Sequence, residues 1–188
     1  MAEHRRFWRV WQRYMDADSF VFIDETGAST SMVRRYGWGP RGARLADSAP
    51  HGHWHTTTFV AGLRSTGLIA PFVLDGPMTG EAFRAYVEQF LAPALAPGDI
   101  VVMDNLGAHK VAGIAEAIAA TGASMLYLPP YSPDLNPIEQ VFAKLKALLR
   151  KAAVRTREAL WDTIGCLLNH FAPAECRNYL ENAGYAFS

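Results

Sequence analysis

A chain of 188 residues, half of them hydrophobic, can bury the core of one domain and is not disordered. Its 18 basic and 18 acidic residues cancel, which excludes a protein that coats nucleic acid through overall charge and leaves only local patches for that purpose. Cys166 and Cys176 make neither a disulfide framework nor a metal finger. No apolar run approaches the ~20 residues of a membrane span, and the N-terminus, rich in Arg and Trp, lacks the apolar stretch of a signal peptide. The expectation is a single domain over residues 1–188, in the cytoplasm, without membrane contact.

Residues 4–15 place Phe7, Trp11 and Tyr14 at helical spacing among Arg5, Arg6, Arg9 and Arg13, which predicts a short basic amphipathic helix within 1–17. Strand patterns follow at 19–25, 54–63 and 67–75, the last two joined by Ser65-Thr66-Gly67. The intervening segment 29–50, rich in Arg and Gly, reads as a projecting hairpin with its tip at Gly37-Trp38-Gly39-Pro40-Arg41-Gly42. His51, His53 and His55 alternate toward one face, a geometry zinc can use, but they lack a fourth ligand and read better as ordinary sheet residues.

Thr79 caps a predicted helix with apolar positions Phe83, Tyr86, Val87, Phe90 and Leu91, closed by Pro97-Gly98. A strand at 99–104, a helix at 111–120, a strand at 124–128 and a helix at 137–152 come next. Helices at 157–171 and 173–182 complete C-terminal helices over 153–188, and Cys166 and Cys176 read as buried packing there. Three antiparallel strands followed by alternating helices and strands imply an α/β fold, one mixed sheet covered by helices.

Three acids stand out in this pattern. Asp24 ends the apolar run 20–23, Asp104 ends the run 100–103, and Glu139 opens the helix announced by Ser132-Pro133-Asp134-Leu135-Asn136-Pro137. Together they can form a cage of oxygen ligands for divalent metal, the kind of site that cuts or joins phosphodiesters. Phosphoryl transfer needs an activated oxygen nucleophile and a stabilised leaving oxygen, and two Mg²⁺ or Mn²⁺ ions about 4 Å apart serve both. Glu139 alone has a competing role, because Asn136 as N-cap, Pro137 as N1 and Glu139 as N3 match a capping box. Capping does not explain the two strands that end on Asp24 and Asp104.

Asp24-Glu25-Thr26, Asp104-Asn105 with His109 close behind, and the run from Pro130-Tyr131 to Ile138-Glu139, with 34 residues between Asp104 and Glu139, resemble the catalytic core of mariner-like transposases, in particular the bacterial insertion-sequence-630 branch. The resemblance covers nearly the whole chain and is most specific in the loop ending at Glu139. It implies a ribonuclease-H-like, retroviral-integrase-like fold with a hairpin insertion after the first strand and C-terminal helices. It also implies a catalytic triad of Asp24, Asp104 and Glu139, Mg²⁺ or Mn²⁺ as two-ion cofactor, cleavage at transposon ends and strand transfer into target DNA. Double-stranded DNA and a homodimer are the implied partners, with nucleoid association. Such transposases carry helix-turn-helix modules ahead of the core, and about 18 residues precede the first strand here; the expectation is that this module is absent and supplied by a separate polypeptide. A remnant or regulatory DNA-binding subunit, or a host nuclease of the same fold, are alternatives that share the same acids.

Candidate DNA contacts surround the triad. Arg34, Arg35, Trp38 and Arg41 combine charge with an aromatic that can stack on a base. Lys146 and Arg150 share the flank of Glu139 at ~100° per residue. Asn105, His109 and Lys110 follow the strand of Asp104 and are placed to reach phosphate or water, His109 having helix capping as its alternative.

Overall fold

The computed structural model describes residues 2–33, 37–44, 46 and 54–187. Helix α1 (Ala2–Trp11) and two 3₁₀ turns lead into β1 (Phe20–Ser29), followed by β2 (Thr56–Arg64) and β3 (Gly67–Asp75). Helix α2 (Gly80–Tyr86) starts where the Thr79 hydroxyl accepts the Ala82 N–H at 3.2 Å, and it widens into a π turn over Val87–Leu91 ahead of Pro93. Then come β4 (Ile100–Met103), α3 (Ile114–Ala119), β5 (Ser124–Tyr127), α4 (Ile138–Ala152), α5 (Arg157–Leu167) and α6 (Pro173–Asn182). The strands form one five-stranded sheet in the order β3-β2-β1-β4-β5. β1–β2 and β2–β3 are antiparallel, whereas β1–β4 and β4–β5 are parallel. The mixed sheet expected from the pattern is the one that forms.

Alternation along the central strands sorts residues onto two faces. Phe20 and Phe22 of β1 and Val102 of β4 belong to the core beneath α4, α5 and α6, with Ile138, Val141, Phe142, Leu145, Leu160, Ile164 and Leu180. Val21, Ile23, Val101 and Met103 point the other way, onto Phe83, Tyr86, Val87, Leu91, Ile114 and Ile118 of the α2–α3 side. Continuing the count places Asp24 and Asp104 on the first face and Glu25 on the second. Both faces are covered, so the central strands read as continuous apolar runs.

Several expectations need correction. β1 does not stop at Asp24: it pairs with β2 as far as Ser29–Thr56, so Asp24 lies inside the strand, just beyond the Ile23–Met103 pair at which the β4 ladder ends. The anticipated arm lies partly outside the described residues, as do Arg34, Arg35, His51 and His53. Within it, the described stretch 37–44 carries a turn at Arg41-Gly42 and no strand. In α1 the buried aromatic is Trp8, held by Tyr185, while Phe7 and Tyr14 are exposed. Cys166 is exposed and only Cys176 is buried, because only the latter faces the sheet-side core. Trp161, Ile164 and Phe171 of the C-terminal region pack inward, the Trp161 indole donating to the Thr57 hydroxyl at 2.9 Å. Among the described residues no helix is long and apolar enough to cross a membrane.

Candidate active site

Asp24 is 7% exposed and holds both carboxylate oxygens in hydrogen bonds. Oδ1 accepts the Glu25 N–H at 2.8 Å, and Oδ2 accepts from Asn136 Nδ2 at 2.8 Å. Burial pushes its carboxyl up to about 7 against the pull of the Glu25 N–H, and the negative charges of Glu25, Asp104 and Glu139 push the same way. Several carboxylates crowded around a desolvated one make a site that favours a cation.

Asp104 follows β4 directly and is partly open to solvent. Its Oδ1 accepts the Leu106 N–H at 3.0 Å and lies 2.8 Å from His109 Nδ1. Burial alone would raise this carboxyl; the hydrogen bonds from His109 and Leu106, aided by the charges of His109 and Lys110, hold it below the usual range. Asp24 and Asp104 are thus neighbours of opposite tendency, one raised to about 7 and the other held below the usual carboxylate range.

His109 is the residue whose anticipated role the structure corrects. It is wholly buried, so it contacts neither phosphate nor bulk water, and it caps no helix. Its Nε2 lies 2.9 Å from Glu25 Oε2 and its Nδ1 faces Asp104, while the ring packs on Phe83 at 4.3 Å between centroids. The Tyr127 hydroxyl donates to the His109 carbonyl at 2.9 Å and holds the turn. Burial disfavours the imidazolium, but the two carboxylates outweigh it and raise His109 to about 10, so it stays charged at neutral pH. Strand alternation supplies this arrangement: Glu25 points to the face opposite Asp24 and meets His109 beneath the site.

Glu139 sits on the exposed first turn of α4. The capping box is not formed. Pro137 occupies the cap position without a side-chain bond, and the Asn136 amide is turned away to the Asp24 carboxylate. A donor on a buried carboxylate is worth more than one on a solvated helix end. Asn136 is itself 4% exposed, and its Oδ1 has no partner among the described residues.

Asp24, Asp104, Asn105, Asn136 and Glu139 line one cleft of about 360 Å³, whose other wall is the loop from Leu128 to Pro133. Helix α1 fixes that loop. Arg5 grips Asp134 with two bonds of 2.8 Å and also reaches the Ser132 hydroxyl at 2.8 Å and the Tyr131 carbonyl at 3.2 Å. Arg9 adds a bond of 2.9 Å to Asp134. From behind, the Tyr185 hydroxyl donates to the Leu135 carbonyl at 2.7 Å. None of these braces was legible beforehand, although an Arg pair four residues apart on a short helix was a signal for a bound carboxylate.

Of the other anticipated contacts, Trp38 and Arg41 are exposed on the β1–β2 connection, away from the cleft lining. Lys110 is exposed near the Tyr127 ring, 5.6 Å from its centroid. Lys146 and Arg150 lie half-buried further along α4, also outside the lining.

Among the described residues no three His, Cys, Asp or Glu side chains converge closely enough to enclose a metal ion. The donor set nevertheless fits a hard divalent cation. It consists of carboxylate oxygens, those of Asp24 and Asp104 lying just past the last pair of the β1–β4 ladder; burial chiefly raises Asp24 to about 7, and the charges of Glu25, Asp104 and Glu139 that add to it are ones a cation would offset.

A mixed five-stranded sheet flanked by helices, with two carboxylates just past the last pair of the parallel β1–β4 ladder, defines a ribonuclease-H-like fold, shared with the catalytic domain of Mos1 mariner transposase at a TM-score of 0.65. The model of the DDE superfamily endonucleases matches residues 19–161, and the chain belongs to that family. Similar solved structures are the mariner Mos1 paired end complex with Mg (15% identity, TM-score 0.77, 97% of this chain and 58% of that one). The Mos1 transposase paired-end complex with left transposon end (13%, 0.75, 97% and 57%) is another. The isolated Mos1 catalytic domain, at 12% identity, is covered over 93% of its length by 99% of this chain. At such identities the likeness is one of fold, and the chain spans somewhat more than half of the Mos1 transposase in those complexes. No curated protein sequence matches the chain.

Proposed function

We propose that this chain is the catalytic core of a transposase of the insertion-sequence-630 branch, cleaving DNA strands at transposon ends and transferring them into target DNA. The observation that carries the reading is the delivery of Asp24, Asp104 and Glu139 to one cleft from β1, the end of β4 and the first turn of α4. Membership of the DDE endonucleases and the fold of Mos1 complexes that contain transposon ends support it.

Asp24, Asp104 and Glu139 would hold two Mg²⁺ or Mn²⁺ ions. Bound there, the ions supply Lewis-acid stabilisation of the attacking and leaving oxygens. The remaining work belongs to the chain. Asn136 and the Glu25 N–H aim the Asp24 carboxylate, and His109, anchored on Glu25, fixes Asp104 in its ionised form. Glu139, in the same cleft and open to solvent, would face the water or 3′-hydroxyl that attacks. The Asp134 clamp keeps the loop at a constant distance from the strand ends. Double-stranded DNA is the substrate, and a homodimer joins two ends.

Mn²⁺-dependent nicking of supercoiled plasmid tests the reading. Wild type is expected to nick, with EDTA and Asp104→Asn each abolishing the reaction while circular dichroism shows an intact fold. Nicking by Asp104→Asn at the wild-type rate overturns the assignment.

A further inference from the structure

We infer that Tyr131 is a stacking platform for a base of the reacting DNA strand, a substrate-positioning residue that deepens the transposase reading and rests on it. The ring is 87% exposed although it lines the same cleft as Asp24, Asp104 and Glu139. Its backbone has φ 56°, a left-handed conformation that is costly for a bulky residue and persists only where the surroundings enforce it. The enforcement is visible. Arg5 holds the Tyr131 carbonyl, the Ser132 hydroxyl and the Asp134 carboxylate, so the loop is pinned from its backbone side and the ring is left facing solvent.

The chemistry of the wall identifies the occupant. The acidic floor takes a cation, and the adjoining wall of Leu128, Pro129, Pro130, Tyr131 and Pro133 carries no charge. Such a surface does not attract phosphate, but a rigid, flat, apolar face suits the π-face of a nucleobase, and base–aromatic stacking is tolerant of sequence.

The test is fluorescence-anisotropy binding of the full chain, in Ca²⁺ at low salt, to a labelled duplex with a short unpaired end. A matching set of duplexes carries an abasic site at one position at a time. Wild type should bind the intact end about five- to a hundred-fold more tightly than one particular abasic end. Tyr131→Asn removes the ring but tolerates the left-handed backbone; it should bind weakly and lose its sensitivity to the abasic position. Tyr131→Phe should behave as wild type. Binding by Tyr131→Asn equal to wild type, retained abasic sensitivity in that variant, or an equal loss in Tyr131→Phe overturns the stacking role and leaves the DNA reading standing. Absence of any binding by wild type overturns both.

Discussion

At the scale of single residues, the site is organised by how charge is distributed over buried groups. Asp24 titrates near 7 in the folded chain against ~3.9 when unfolded, so between those values the folded state keeps a proton that the unfolded state has released. Stability therefore falls as pH rises through that window, by on the order of a few kcal/mol. Asp24→Asn removes this dependence. Once the Asn136 amide flips, the new side chain donates to the Asn136 Oδ1 that now lacks a partner and still accepts the Glu25 N–H. Thermal melts in EDTA should show Asp24→Asn more stable than wild type at pH 8, with the advantage gone by pH 4. A constant offset at both values would show that Asp24 is not the titrating group. His109 works with the same sign in a higher pH window. Its raised value means that the stability gained from Glu25 and Asp104 is complete below ~6.5 and is lost only as pH passes through about 10, so the brace on Asp104 is intact across the physiological range.

At the scale of elements, the loop 128–136 is held by three parts of the chain that are remote in sequence: α1, the segment after α6, and Asp24 itself. Arg5→Ala should release it locally. Because the Asp134 pairs are largely exposed, the cost in global stability is about 1 kcal/mol or less. Hydrogen exchange at 131–136 should accelerate well beyond that, while the sheet amides stay unchanged. Uniform acceleration would mean that α1 is needed for the whole fold instead. What could be read in advance follows the same division. The central strands and α4 were legible because a core on both faces imposes continuous apolar runs on the strands and a core on one face imposes a 3.6-residue period on the helix, and the acids were legible because each interrupts or follows such a run. Asn136 was misread as a cap because local spacing satisfied the capping rule, while its partner Asp24 is remote in the chain. His109 and Glu25 escaped for the same reason: only the assembled sheet shows that residue 25 and residue 109 share a face. Of the Phe7, Trp11 and Tyr14 stripe only Trp11 packs on the core, because Trp8, bonded to Tyr185, sets which side of α1 turns inward.

At the scale of the whole molecule, the two cores leave the acids at one end of the sheet, where the parallel pairs stop. Cation binding there should be coupled to folding. Mn²⁺ at a hundred-fold excess over its dissociation constant would stabilise the chain by about 2.7 kcal/mol. Scanning calorimetry should show a rise in the wild-type melting temperature that EDTA reverses and that Asp104→Asn loses. An equal rise in the variant would place the ion elsewhere.

The parallel pairing of β1 with β4 also acts as a ruler. Asp24 and Asp104 follow the paired residues Ile23 and Met103 directly, so their separation is set by the distance between hydrogen-bonded neighbours, roughly 4.8 Å. The length of chain running between them has no influence on it. Residues can be inserted or removed between β1 and β2, or between β3 and α2, without changing the gap, whereas one residue added within 20–24 or 100–104 turns a carboxylate to the opposite face. The fold thereby separates what is free to vary from what must stay fixed, with backbone hydrogen bonds as the gauge.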